Sequence, residues 1–201
     1  MKTRILRAIA LAAVLSASAI LSSCSSEDPV KTAVLAELKR SNPDLESFSI
    51  YKIEKLESVS FGSELDRRIR LFQTKIKAET KAYQKYVGKG MQNNAAARMQ
   101  QKEQAEAILE RLEAFKAGNA AKADSLIYSV YRFSGKGKLS DGSVIPESTM
   151  TISLSEDLSK AWNLAPEGSN KYKGMGAAIP DYVEILQAVS GSADDPENIV
   201  E

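Results

Sequence analysis

Apolar residues recur at helical spacing through the middle of the chain, between residues 63 and 118. In the first half they alternate at intervals of four and three, which is a heptad seam with one polar member, Glu79. Gly88, Gly90 and the pair Asn93-Asn94 separate this run from a second one at about 95–117. We predict an antiparallel hairpin of two long helices, the first capped by Ser63. The seam residues are Leu65, Ile69, Phe72, Ile76, Glu79, Tyr83 and Tyr86 in the first helix, and Ala105, Ile108, Leu112 and Phe115 in the second.

Aromatic and β-branched residues between Phe48 and Leu56 predict a strand before the hairpin, which Val59 and Phe61 extend until Gly62 breaks the run. Phe48 and Ile50 share one side of this strand, and Tyr51 and Ile53 share the other. Since alternate residues of a strand face opposite ways, we expect one register shift within it.

Two alternating runs, 127–133 and 144–154, flank Asp141-Gly142 and predict a β-hairpin after the helices. Pro146 has no amide hydrogen, so its half of this hairpin is expected at an edge or a bulge of the sheet.

Shorter helices are predicted near the two ends of the domain. Asp28-Pro29 starts a helix with an apolar face, and Pro43 ends it; a second short helix covers about 179–189. The predicted fold class is α+β: a small antiparallel sheet packed against the long helical hairpin, with short N- and C-terminal helices. A single domain is expected at 29–190, followed by an acidic flexible tail at 191–201. The face of the first helix is Val30, Val34, Leu35 and Leu38.

Residues 1–23 have the pattern of an export signal. Lys2, Arg4 and Arg7 form a positive head, and an apolar run from Ala8 to Ile20 follows it. That run is shorter than the roughly 20 apolar residues of a membrane-spanning helix, so a cleaved signal is predicted. A plain secretory signal beside an unrelated cysteine is the alternative.

Leu21-Ser22-Ser23-Cys24 resembles the lipobox of bacterial lipoproteins. The resemblance implies cleavage between Ser23 and Cys24, a diacylglycerol on the Cys24 thiol, and a fatty acyl chain such as palmitate on the new amino group. Two or three acyl chains anchor a protein far more firmly than one. Residues 24–28 would then form a short lipidated tether, at most ~17 Å long at ~3.3 Å per residue.

Ser25, Ser26, Glu27 and Asp28 follow this cysteine and resemble the surface-export signal of Bacteroidetes-type lipoproteins. The resemblance implies an outer-membrane protein on the cell surface, with the periplasmic face as the alternative. Asp28 also fits a helix cap ahead of Pro29, and both roles are compatible.

Composition removes several classes of function. The chain has 27 Lys and Arg against 26 Asp and Glu, no His and one Cys. Near balance of charge argues against nucleic acid as a partner. Without histidine, imidazole catalysis and common zinc sites are excluded, and we expect no metal and no cofactor.

Three motifs suggest catalysis, and each has a simpler explanation. Ser49-Ile50-Tyr51-Lys52 has the letters of a Ser-x-x-Lys dyad, but a strand would separate the two side chains. Gly135-Lys136-Gly137-Lys138 lacks the spacing of a phosphate-binding loop and fits a solvated strand end. The pairs Glu156-Asp157 and Asp194-Asp195 look like surface charge, so no residue is predicted to be catalytic.

Two clusters could bind a partner. One is the basic stretch Arg67, Arg68, Arg70, Lys75 and Lys77, which could meet anionic headgroups or form a solvent face balanced by Glu64, Asp66 and Glu79. The other is aromatic and could stack on sugars or belong to the core. Its members are Tyr128, Tyr131, Phe133, Trp162 and Tyr172.

These observations favour a lipid-anchored envelope protein with a small non-enzymatic binding or assembly domain. Membrane lipid is its expected partner through Cys24. An envelope protein or a second copy is expected to bind through the hairpin at 63–118. The alternative is a carboxylate-dependent hydrolase acting on glycans of the envelope or outside the cell.

Overall fold

The structure, a computed structural model, describes residues 28–190. Within this range four α-helices and four strands form an α+β arrangement, which confirms the predicted class. Two short 3-10 turns accompany them, Ala120–Lys122 and Met175–Ala178. The elements are α1 (Pro29–Ser41), β1 (Leu45–Ser60), α2 (Phe61–Gly88), α3 (Gln92–Gly118), β2 (Leu126–Leu139), β3 (Val144–Ser155), β4 (Ala161–Pro166) and α4 (Tyr182–Ser190).

The strands form one antiparallel sheet in the order β1-β2-β3-β4. β1 begins three residues before the predicted strand and ends at Ser60, because Phe61, predicted to extend it, starts α2. Its register shifts at four places, one of them between Ile50 and Lys52. The shift leaves Tyr51 52 % exposed and brings Ile53 into the same core cluster as Ile50. A register shift at this point agrees with the prediction, but the structure has four shifts where one was expected, and the placement of Ile53 on the side of Tyr51 was wrong.

Pro146 lies where β3 is both bulged and at the edge of the sheet. Gly135 pairs with Ser148 and Gly137 with Ile145, so two residues of β3 oppose one of β2. β4 reaches β3 only from Met150 onward, which leaves the Pro146 side of β3 without a further strand. This confirms the prediction from proline chemistry, whereas the strand β4 itself was not predicted.

The two faces of the sheet pack against different elements. α1 lies on one face, where its Val34 and Leu38 contact a cluster that includes Phe133 of β2. On the other face Tyr128 and Val130 pack around Met175, in the second 3-10 turn. The predicted apolar face of α1 is confirmed, since Val30 and Leu35 also pack on this cluster.

The helical hairpin packs through the part of its predicted seam that lies nearest the sheet, whereas Tyr83 and Tyr86 lie outside the core cluster. Residues of both helices share one buried cluster, and α4 adds Tyr182 and Leu186 to it. Lys116 pairs with Asp66 near the sheet, while Arg98 contacts Glu79 at 3.2 Å further along, as antiparallel packing requires. The hairpin residues in this cluster are Phe61, Leu65, Ile69, Phe72, Ala105, Ile108 and Leu112.

The start of α2 differs from its prediction. Ser60 is the N-cap, and its hydroxyl accepts a hydrogen bond from the Ser63 amide at 3.3 Å. Ser63 occupies the third helical position and completes a capping box by accepting from the Ser60 amide at 3.1 Å. The helix therefore begins directly after β1, and Gly62 lies in its first turn.

Replacing Gly135 by alanine should destabilise the sheet. A Cβ atom there would lie 2.5 Å from the carbonyl oxygen of Ser49 and closer still to the ring of Phe48. We expect Gly135→Ala to lower the free energy of unfolding by about 1–3 kcal/mol, measured by urea denaturation. Gly88→Ala is the control, because a Cβ there meets nothing within 4 Å. An unchanged urea midpoint for Gly135→Ala would show that β1 and β2 are not packed this closely.

Candidate functional site

Core packing on the hairpin is confined to the half nearest the sheet. Buried residues of α2 all lie between Phe61 and Phe72, and from 73 to 104 Ala95 is the one buried residue. Beyond Phe72, α2 extends about 24 Å further at ~1.5 Å per residue. We call residues 73–104 the outer hairpin.

Four exposed lysines follow one another at intervals of four residues in the outer hairpin: Lys77, Lys81 and Lys85 on α2, and Lys89 at its C-cap. We call them the lysine row, because residues four apart are neighbours on one face of a helix. Between 80 and 102 the sequence has five Lys and Arg and no Asp or Glu. Like charges at this spacing destabilise a helix by roughly 0.2–0.5 kcal/mol per pair, so the row lowers the stability of α2.

The acids expected to balance the basic stretch are all engaged in ion pairs: Glu64 pairs with Arg67 and Arg68 of the stretch itself, and the other two pair with residues of α3. Glu64 is fully buried, Asp66 pairs with Lys116, and Glu79 contacts Arg98 on α3. Glu64 thus balances the stretch as predicted, but the prediction that it does so on a solvent face is wrong. It is also wrong for Arg68, which is only 4 % exposed. The accessible positive charge therefore lies further along α2 than the sequence pattern suggested.

The turn between the two helices exposes apolar side chains beside the lysine row. Val87 is 53 % exposed and Met91 43 % exposed. Tyr83 and Tyr86 of the predicted seam are half-buried nearby. The end of the hairpin thus combines cationic, aromatic and aliphatic groups.

A buried charge network fixes the base of the hairpin. The Glu64 carboxylate accepts from Arg68 Nε at 2.8 Å and from the Tyr128 hydroxyl at 2.6 Å, and it also pairs with Arg67. These contacts join α2 to β2. A buried carboxylate needs such partners, because removing it from water without them costs several kcal/mol.

The same network holds the segment that precedes α4. Arg68 donates to the backbone carbonyl of Tyr172 at 2.8 Å, and the Arg67 guanidinium lies 3.5 Å from the centre of the Tyr172 ring. The Tyr172 hydroxyl donates to Glu57 of β1 at 3.2 Å. Three parts of the chain that are distant in sequence therefore meet at one point.

Burial, together with the hydrogen bond to Glu64, raises the pKa of Tyr128 far above its ordinary value of 10.0. Its hydroxyl therefore stays protonated and keeps donating to the carboxylate. Tyr128 and Phe133 are fully buried, while Tyr131, Trp162 and Tyr172 are half-buried. Four of the five belong to the core, as the simpler prediction held, but on two faces of the sheet: Phe133 and Tyr131 on one and Tyr128 and Trp162 on the other.

The described residues of the candidate catalytic motifs lie in strands and turns, where several of their charged side chains form ion pairs or hydrogen bonds. Lys52 pairs with Glu54 at 2.8 Å on the exposed side of β1. Gly135-Lys136-Gly137-Lys138 lies within β2, with Lys138 paired to Glu46 at 3.0 Å. Hydrogen bonds from the side chain of Ser155 and from Ser159 lower the pKa of Asp157 to about 2, in the turn before β4.

One polar recess of about 210 Å³ brings two carboxylates together on the sheet. Arg132 bridges them, with Nε 2.8 Å from Glu54 and Nη1 2.7 Å from Glu167. Hydrogen bonds from Lys52 and Arg132 lower the pKa of Glu54. A glycosidase acid needs a raised pKa, which is the opposite of the shift at Glu54.

A wider groove of about 550 Å³ lies between α2 and α3 at the base of the hairpin. Phe61 and Ile69 provide its apolar floor, and the ion pair between Asp66 and Lys116 crosses it. Its one lysine is already paired, which distinguishes it from the lysine row.

The predicted lipidation site, Cys24, lies outside the described residues, as do Ser25, Ser26, Glu27 and Asp194-Asp195. Asp28 caps α1 by accepting from the Val30 amide at 3.0 Å, which confirms its capping role. Among residues 28–190, no helix has the length and hydropathy needed to span a bilayer.

Comparison with known proteins finds no relative: no protein-family model matches the chain, and no curated protein or solved structure matches it significantly.

Replacing Glu64 by glutamine tests the network at the base. The change removes the charge that compensates two arginines, so we expect the free energy of unfolding to fall by about 3–5 kcal/mol. Glu110→Gln, at an exposed position of α3, should change it by less than ~0.5 kcal/mol. Chemical denaturation of both variants measures the difference, and equal stabilities would show that the buried carboxylate does not hold the base together.

Proposed function

We propose that this chain is a lipid-anchored protein of the cell envelope, with a small non-enzymatic binding or assembly domain held at the outer membrane. The sequence Leu21-Ser22-Ser23-Cys24 supports the anchor. Asp28 begins the folded domain, four residues after the cysteine. A tether of this length keeps the domain within ~17 Å of the membrane.

One observation supports the hairpin as the surface that binds a partner. Between residues 73 and 104 the outer hairpin buries only Ala95, and its outward side chains are exposed and cationic. A binding role accounts for such a surface, since it costs stability to maintain like charges in a row. We assign partner binding to the hairpin, within residues 63–118, and exposure on the cell surface to the domain.

The anchor is tested by the intact mass of the purified protein. The wild type should begin at Cys24 and carry the added mass of a diacylglycerol and a further acyl chain. Cys24→Ala should lack this mass and remain unprocessed, because the acceptor thiol is gone. Ser25→Ala keeps the thiol and should be acylated like the wild type.

A wild-type product that begins with an unmodified thiol would contradict the anchor. So would a Cys24→Ala variant that partitions into a nonionic detergent phase and is processed just like the wild type.

A further inference from the structure

We propose that the outer hairpin binds the anionic headgroups of the membrane to which the chain is tethered. The proposal deepens the proposed function, because it names the chemistry of the hairpin's partner and depends on the anchor for proximity. It rests on the lysine row and on the apolar side chains at the turn.

Uncompensated charge is the first support. Lys77, Lys81, Lys85 and Lys89 are exposed, and no acidic residue occurs between 80 and 102. Glu79, the nearest acid in sequence, contacts Arg98 on the inner side of the hairpin. A row of cations of this kind is attracted to a surface of phosphate groups, and the attraction falls off within a Debye length.

The second support is the composition of the turn. Val87 and Met91 are large apolar residues, each more than 40 % exposed, next to the end of the lysine row. Lysines with adjacent apolar side chains are typical of elements that lie at the lipid–water boundary, where the cations meet phosphate and the apolar groups enter the acyl region. A purely electrostatic protein-binding surface would not need these two residues.

The third support is distance. The tether allows at most ~17 Å between the acylated cysteine and α1. The lysine row from Lys77 to Lys89 is about 18 Å long at ~1.5 Å per residue, which is comparable with the length of the tether. A domain held this close to the bilayer has part of its surface within electrostatic reach of the headgroups.

A second copy of the chain is a weaker occupant. In a two-fold symmetric contact through this face, the lysine row would meet itself, and like charges would repel. At the base of the hairpin, the seam that could accept another helix is already filled by α3. An acidic protein remains a distinct occupant, which the experiment below separates from lipid.

The experiment uses the mature acylated protein reconstituted into vesicles. Because the Cys24 thiol is acylated, Asn93→Cys provides one thiol for a fluorescent donor at the exposed end of the hairpin. Energy transfer to headgroup-labelled lipid is compared between phosphatidylcholine vesicles and vesicles containing about one third phosphatidylglycerol. We expect greater transfer in the anionic vesicles, and its loss at ~1 M salt, where the Debye length is about 3 Å.

Two triple variants provide the matched comparison. The first combines Lys77→Gln, Lys81→Gln and Lys85→Gln. It should lower the equilibrium constant for contact of the hairpin with anionic vesicles, obtained from the energy transfer, by about fivefold per lysine, or roughly a hundredfold. Lys39→Gln, Lys55→Gln and Lys122→Gln remove the same charge from exposed positions on α1, β1 and the first 3-10 turn and should keep the preference. Glutamine preserves helix propensity, and removing like charges from the row should leave α2 as stable or more stable.

The outcomes are distinguishable. A protein that does not remain with either kind of vesicle contradicts the anchor rather than the headgroup contact. Equal transfer in neutral and anionic vesicles, or equal effects of the two triple variants, overturns the headgroup proposal. Crosslinking in cells from Lys81 to an acidic protein, together with no response to anionic lipid, would assign the row to that protein instead.

Discussion

A single buried carboxylate determines how the parts of this protein fit together. Glu64 lies in the first turns of α2, fully excluded from solvent, and receives Arg67, Arg68 and Tyr128. The two arginines extend this contact to Tyr172, and so to the segment that leads into α4. Without these partners the charge could not be buried, and without the charge the helical hairpin, sheet and C-terminal segment would lose their common contact.

This fixed base explains why the rest of the hairpin can extend without a third layer. The two helices pack against each other, and an ion pair between Glu79 of α2 and Arg98 of α3 joins them beyond the base. The acids near the base form ion pairs within the hairpin, so they do not neutralise the lysines on the outward side of the outer hairpin. A surface of this kind is costly for an isolated helix and suited to a neighbouring anionic surface. These acidic side chains therefore stabilise the base of the hairpin and, because they are already paired, leave the outer hairpin with a net positive charge.

Much of the fold followed from periodicity, because helices and strands that bury one face must repeat at their own spacing. The hairpin seam, the cap at Asp28 and the bulge at Pro146 are all local consequences of residue type. β4 was missed because Ala161–Pro166 is short and mixes apolar and polar residues without clear alternation. This segment forms a strand because it pairs with β3, although its own residues do not favour one.

The charge network could not be read from spacing alone. Glu64, Arg67 and Arg68 have the intervals of ordinary surface ion pairs on a helix. Their burial depends on Tyr128 and Tyr172, which lie 64 and 104 positions away from Glu64 and Arg68. One signal was present: Glu64 and Arg68 flank the seam residues Leu65 and Ile69, so charge falls beside the apolar face. The same burial shifted the accessible basic surface from Arg67 and Arg68 to the lysine row.

Hydrogen exchange of the acylated protein on vesicles tests the central claim most directly, since it reports on the base and the outer hairpin in one measurement. The account predicts that amides of 61–72 and 105–115 exchange slowly and equally on neutral and anionic vesicles. Amides of 77–102 should become more protected on anionic vesicles alone. Protection that changes at the base or in the sheet, while the outer hairpin stays the same on both lipids, would contradict the account.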